Sequence, residues 1–286
     1  MGAPHTEVLV DGLCFPEGLR WHDSRLWFSD FFERVVFSVG EEGHLQREAV
    51  VPGQPSGLGW LPDGRLVIVS KVDRKILRRE PDGSLVQHAD LSDLGGGDCN
   101  DMVVDHRGRA YVGELGFDPF EWFGNGGTFE DAPTAALFRV DNRGVVAEAA
   151  SRLRVPNGAV LLDDEQLLIV AESFASQLTA FDVDTRTGEL SGRRVWAKLP
   201  DRTPDGICAD YTGRGIWVAD ARHPECVRVE ERGAVTETVV TTQKCYSCAL
   251  GGHDGRALFC ATAPATDEAR ASAARTGRIE QVQLAA

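Results

Sequence analysis

Apolar residues in this chain fall in short runs separated by turn formers, and almost nowhere at the 3.6-residue spacing of an amphipathic helix. Near the start, residues 19–21 lead to a His22-Asp23-Ser24 turn, and Leu26-Trp27-Phe28 follows as a second run. Val35-Val36-Phe37 makes a third and residues 48–51 a fourth. The next stretch repeats the cycle through Leu58-Gly59-Trp60, a Pro62-Asp63-Gly64 turn, residues 66–69, Ile76-Leu77 and Leu85-Val86. Asp-Gly between apolar runs is a hairpin signal, so the pattern predicts short antiparallel strands. Four strands in roughly 40–45 residues is the period of a propeller blade.

One short motif sets the phase of the repeat. Its instances are Pro16-Glu17-Gly18-Leu19, Pro55-Ser56-Gly57-Leu58, Cys99-Asn100-Asp101-Met102, Pro156-Asn157-Gly158-Ala159, Pro204-Asp205-Gly206-Ile207 and Tyr246-Ser247-Cys248-Ala249. The second residues fall at 17, 56, 100, 157, 205 and 247, at intervals of 39, 44, 57, 48 and 42. Six copies predict an all-β, six-bladed β-propeller with four antiparallel strands per blade, in one domain over residues 1–286. An irregular β-sandwich is the rival, and it does not account for six repeats in phase. The sixth unit stops one strand short, while Val8-Leu9-Val10 stands unassigned ahead of the first. That segment is expected to complete the last blade, closing the ring and removing an open sheet edge.

In a propeller the innermost strand of each blade runs along the central channel, so the six marked residues should converge at one mouth. The proline before them fixes φ, and the glycine that often follows lets backbones approach closely. They are Glu17, Ser56, Asn100, Asn157, Asp205 and Ser247; all can present oxygen and none is apolar. Such a ring, with two carboxylates, suits a hard divalent cation, calcium first and magnesium or manganese as alternatives. Asn, Asp and Ser also favour turns. Glu17 does not, and turn preference alone gives no reason for six oxygen-bearing residues in phase.

Charge narrows the partners. With 30 basic and 44 acidic residues the formal net charge is −14. Nucleic acid and anionic membrane need basic patches, so neither is expected, and the partner is a small-molecule substrate. No apolar run approaches the ~20 residues that span a bilayer. The first ten residues lack the basic-then-apolar pattern of a signal peptide, so a cytoplasmic monomer or homodimer is expected. The cysteines number seven, an odd count that suits free thiols better than a disulfide framework. Cys245 and Cys248 form a single C-x-x-C with no second pair at zinc spacing, and are read as ordinary strand and loop residues.

At Phe15-Pro16-Glu17-Gly18, Asn100-Asp101-Met102-Val103-Val104-Asp105, Val155-Pro156-Asn157-Gly158 and Thr203-Pro204-Asp205-Gly206-Ile207 the chain resembles the SMP-30/gluconolactonase (regucalcin-like) family, over nearly its whole length. Diisopropyl fluorophosphatase and the staphylococcal drug-responsive lactonase share that architecture. The resemblance implies direct metal binding by Glu17, Asn157 and Asp205, with Asn100 either a ligand or a substrate contact beside the ion. It also implies that Asp205 is the general base or the group that orients the attacking water. Calcium is the usual ion, and zinc, magnesium, manganese or ferrous iron serve some members. Members hydrolyse lactones or, in some branches, organophosphate esters. One departure bears on substrate: sugar-lactone members carry arginine two residues before the Asn100 position, and here that residue is Asp98.

Second strands should return to the metal mouth, so their ends line it; among these ends are Gly113-Glu114 and Glu172-Ser173. After the first of them comes an insertion, residues 116–134, which accounts for the 57-residue interval. It carries Phe117, Phe120, Trp122, Phe123 and Phe129 among glycines. Five aromatics argue against disorder, and loops of this length are usually functional. The segment is read as a lid with an apolar wall, a subunit interface being the rival. Residues 264–276 hold the equivalent place in the last unit and suggest one short helix. Asp98, Asn100, Glu114, Phe117, Trp122 and Glu172 are the expected substrate contacts. No Gly-x-Ser-x-Gly elbow is visible, which argues against a serine hydrolase. A metal-dependent lactonase is therefore predicted. The alternatives are a non-hydrolytic calcium-binding propeller and a phosphotriesterase-like reaction on the same site.

Overall fold

The computed structural model describes residues 3–94, 96–264 and 266–285, apart from the side chain of Phe120. Strand β1 (Glu7–Leu13) precedes the first blade, which holds β2 (Pro16–His22), β3 (Arg25–Asp30), β4 (Val35–Val39) and β5 (Leu45–Val50). The second blade is β6 (Pro55–Trp60), β7 (Leu66–Ser70), β8 (Lys75–Arg79) and β9 (Leu85–Asp90). The third is β10 (Cys99–Val104), β11 (Ala110–Glu114), β12 (Ala135–Val140) and β13 (Val146–Leu153), with helix α1 (Pro119–Gly124) between β11 and β12. The fourth is β14 (Pro156–Leu162), β15 (Leu167–Glu172), β16 (Gln177–Val183) and β17 (Leu190–Lys198). The fifth is β18 (Pro204–Ala209), β19 (Gly215–Asp220), β20 (Glu225–Glu230) and β21 (Val235–Val240). The last contains β22 (Lys244–Gly251), β23 (Ala257–Ala263) and β24 (Gly277–Gln283), with α2 (Glu268–Ala274) as the expected short helix. Its order is β1-β24-β23-β22, so the N-terminal strand supplies the missing edge, Glu7 pairing with Gln281 and Val8 with Glu280. No helix among the described residues is long and apolar enough to cross a membrane.

Apolar layers between neighbouring blades hold the ring. Val69, Met102 and Phe138 pack between the second and third blades, and Ile169, Trp196 and Val218 between the fourth and fifth. Second strands are buried on both faces, which is why residues 66–69 and 167–171 read as unbroken apolar runs instead of alternating. Burying each such Leu, Ile or Phe contributes about 1.5–3 kcal/mol.

The motif that sets the repeat is a β-bulge. Pairing between first and second strands slips after Glu17, Pro55, Cys99, Pro156, Pro204 and Cys245. A bulge bends its strand and re-aims the side chain that occupies it, here toward the neighbouring first strands. Those strands touch in succession, and β2 meets β22 to close the circle. Gly18 shows why a glycine follows the marked residue: its φ is +61°, and an added Cβ would lie 2.7 Å from the Ser56 carbonyl oxygen. Gly18→Ala is therefore expected to cost about 2 kcal/mol or more, since left-handed alanine is unfavourable by itself and the strands must also part. Urea unfolding measures this, and an unchanged midpoint would count against the close approach.

Candidate metal centre

The six bulge residues are all buried, with exposures between 0% at Ser247 and 9% at Asn157. Three of them, in successive blades, are linked neighbour to neighbour. Asn100 Nδ2 donates to the Pro156 carbonyl at 3.3 Å. Asn157 Nδ2 donates to Ser173 Oγ at 3.4 Å, and Ser173 Oγ donates onward to the Pro204 carbonyl at 2.7 Å. Asn157 also hydrogen-bonds Asp205. Burial first, and then the Asp205 charge, pushes the Glu17 carboxyl well above the usual carboxylate range. Asp205 is raised likewise, by burial and then by Asp101. Its Oδ1 is buried with no hydrogen-bond partner among the described residues.

This donor set fits a hard cation. A bare buried acceptor costs about 1–3 kcal/mol, and two buried carboxylates that repel each other cost more. A divalent ion removes both penalties. Asn100 and Asn157 use their nitrogen ends within the protein, which leaves the oxygen ends as donors suited to calcium or magnesium. Ser247 behaves differently: its Oγ accepts from Leu19 N–H at 3.0 Å and clamps the first blade to the last. Of the expected ring of six oxygens, Ser247 is thus a closure contact between blades.

Sequence reasoning missed a charge pair one residue further along the channel. Asp101 stands where Gly18, Gly57, Gly158 and Gly206 stand in four other repeats, and that break in the motif was the available signal. Its carboxylate lies 2.7 Å from the Arg20 guanidinium, which also donates to the Leu19 and Met102 carbonyls. Asp101 thereby has its own counterion, and the unbalanced charge at the mouth rests on Glu17 and Asp205.

Two of the expected wall residues are engaged elsewhere. Glu172 is 1% exposed, and its oxygens accept from Arg154 N–H at 2.7 Å, from Gln177 Nε2 at 2.9 Å, and from Thr179 and Arg193. Glu114 accepts from Ala136 N–H and pairs with Arg74, each at 3.0 Å. Asp30 and Asp220 play similar parts, accepting from Cys14, Phe15 and Thr203 amides. An acid that ends a second strand in this chain fastens adjoining backbone. Glu114 and Glu172, expected as substrate contacts, hold adjoining backbone and basic side chains in this structure. Asp98 is ion-paired with Lys71, so the acid that replaces the arginine arrives with a base of its own.

The insertion is folded. Arg154 donates to the carbonyls of Phe129 and Glu130, and Trp122 Nε1 to the Thr128 carbonyl at 3.0 Å. Phe117 meets Trp122 and Phe174, each with ring centroids 5.9 Å apart, while Phe129 lies 4.6 Å from Phe174. Phe174 follows β15 in the next blade and had no distinguishing mark in the sequence. A second aromatic group, Phe15, Phe31, Phe32 and Tyr246, gathers beside the bulges of the first and last blades, with Phe15 and Tyr246 4.7 Å apart. The side chain of Phe120 is outside the described residues.

A family model described as SMP-30/Gluconolactonase/LRE-like region matches residues 15–264. The chain belongs to that family. Regucalcin of Danio rerio is 28% identical over 218 residues, covering 75% of this chain and 68% of that protein. Regucalcin of Homo sapiens is 27% identical over 170 residues, 56% of this chain and 52% of its own length, so the match spans about half of that relative. Among solved structures, a luciferin-regenerating enzyme superposes with a TM-score of 0.82 at 19% identity, covering 99% of this chain and 96% of the other. A regucalcin from Agrobacterium tumefaciens, described as a calcium-binding protein, gives 0.79 at 21% identity, covering 99% and 95%. A gluconolactonase from Xanthomonas campestris gives 0.75 at 23%, covering 97% and 89%. At these identities the structural likeness establishes the six-bladed fold.

Proposed function

We propose that this family member is a metal-dependent lactonase that opens a small lactone with water to give a hydroxy acid. The observation that carries the reading is the bare, buried Oδ1 of Asp205 in electrostatic contact with Glu17. Glu17, Asn157 and Asp205, with Asn100 as the fourth, would hold a divalent ion, calcium first. When bound, that ion supplies Lewis-acid polarisation of an ester carbonyl and charge to hold the oxyanion. Asp205 orients the attacking water, and its carboxylate takes the proton that the water gives up. The proton passes to the ring oxygen as the acyl C–O bond breaks. Asn157 and the buried walls keep the Asp205 carboxylate in one orientation.

Aromatic groups on two sides of the site favour a lactone with an apolar substituent over a polyhydroxylated one. The test is a hydrolysis screen of metal-reconstituted protein on sugar, aliphatic and aromatic lactones, with phosphotriesters as an outgroup. Metal-dependent turnover is expected, highest in kcat/KM on the apolar lactones. Tight calcium binding with no turnover on the panel would instead indicate a non-hydrolytic calcium-binding propeller. Phe174→Ala is expected to raise KM for an aromatic lactone about tenfold, or roughly 1.4 kcal/mol, with kcat little changed. Equal kinetics in variant and parent would remove the apolar wall from the reading.

A further inference from the structure

We propose that the layer between the fifth and sixth blades is a second, independent metal site, a closed thiolate site for a soft divalent cation of the zinc class, formed by Cys226, Cys245 and Cys260 with Cys248 beside them. The three sulfurs come from β20, β22 and β23, and all lie within 4.8 Å of one another. A zinc–thiolate bond of about 2.3 Å puts tetrahedral sulfurs roughly 3.8 Å apart, so each pair needs to close by less than ~1 Å. Cys248 shares the cluster and lies 3.9 Å from Cys208, sulfur to sulfur. Five of the seven cysteines thus gather at one of six blade interfaces.

The backbone explains how two members come from one strand. Residues three apart on a regular strand point to opposite faces. In β22 the bulge between Cys245 and Ser247 resets the alternation, so Cys245 and Cys248 both enter the same layer. The bulge that aims Glu17 or Asp205 elsewhere in the ring here aims a second thiol.

Packing is the rival reading, since buried cysteine serves as a small hydrophobe. It gives no reason for sulfurs from three strands to converge on one point. The surrounding layer is apolar, with Trp217, Ala219, Val239, Leu258 and Leu284 as its other buried members. Three thiolates leave one net negative charge around a divalent ion and two around a monovalent one, so a dry layer favours the divalent ion. The four sulfur-bearing residues are at most 1% exposed, so the ion must be taken up as the chain folds.

The test uses the full wild-type chain, unfolded with chelator and refolded with zinc, then gel-filtered in excess calcium to occupy the axial site. Retained zinc with three or four sulfur neighbours at about 2.3 Å in its X-ray absorption spectrum is the expected result. No retained zinc, or zinc with oxygen and nitrogen neighbours only, overturns the proposal. In the paired variant Cys226→Ser/Cys260→Ser the sulfur-bound zinc is expected to be lost while axial calcium binding persists. Undiminished sulfur-bound zinc in that variant would equally overturn the assignment.

Discussion

Asp205→Asn is expected to lower kcat on the best lactone by about a thousandfold or more while the propeller stays folded. Asparagine keeps the shape of the side chain and an oxygen able to accept from Asn157. It removes the charge that would hold an ion and the oxygen that would take a proton from water. It also removes one of the buried, mutually repelling charges at the mouth, since Asp205 faces Glu17 and Asp101. The metal-free variant is therefore expected to melt no lower than metal-free wild type. A purely structural aspartate would give the opposite pair of results, lowered Tm and an activity loss that merely follows it. Initial rates and circular dichroism melts of the same preparations separate the two, and near-normal turnover would remove Asp205 from the mechanism.

Chelation is expected to take activity to background, and the stability given by the ion should grow as pH rises. Glu17 and Asp205 are both raised in the folded protein, by burial before all else. Each binds its proton more tightly folded than unfolded. Metal-free protein is thus free of their penalty below the unfolded values of about 4, and loses stability as pH climbs from there through the raised folded values. A divalent ion needs both carboxylates deprotonated, so it offsets a penalty that is largest at high pH. Saturation at a hundred times Kd would add about 2.7 kcal/mol. Calorimetric scans with calcium and with chelator, at pH 8 and at pH 5, should show the larger Tm increment at pH 8. Equal increments would place the stabilising ion away from these two groups.

Much of the fold was legible because one local device is used six times. The bulge needs proline or a small kink, a re-aimed side chain and, in four blades, a glycine that lets the inner strands touch; all of these leave a mark in the sequence. Val8-Leu9-Val10 could be assigned to the last blade for a similar reason, since an incomplete sixth unit needs a fourth strand. Side-chain partners across blades were not legible. Glu114 and Glu172 sit at the mouth end of their strands as expected, but which way a strand-end acid turns depends on donors such as Arg154 N–H and Arg74. Arg20 and Asp101 are 81 positions apart and meet only when the ring closes. Phe174 gains its place from aromatics of the preceding blade, and the thiol cluster draws on strands of two blades.

Anomalous scattering from crystals grown with manganese in place of calcium tests the axial metal most directly. One strong peak is expected within about 2.0–2.6 Å of oxygens from Glu17, Asn157 and Asp205, and it should vanish in Glu17→Gln. A fully occupied peak away from these three side chains, or none at a manganese concentration that supports turnover, would contradict it.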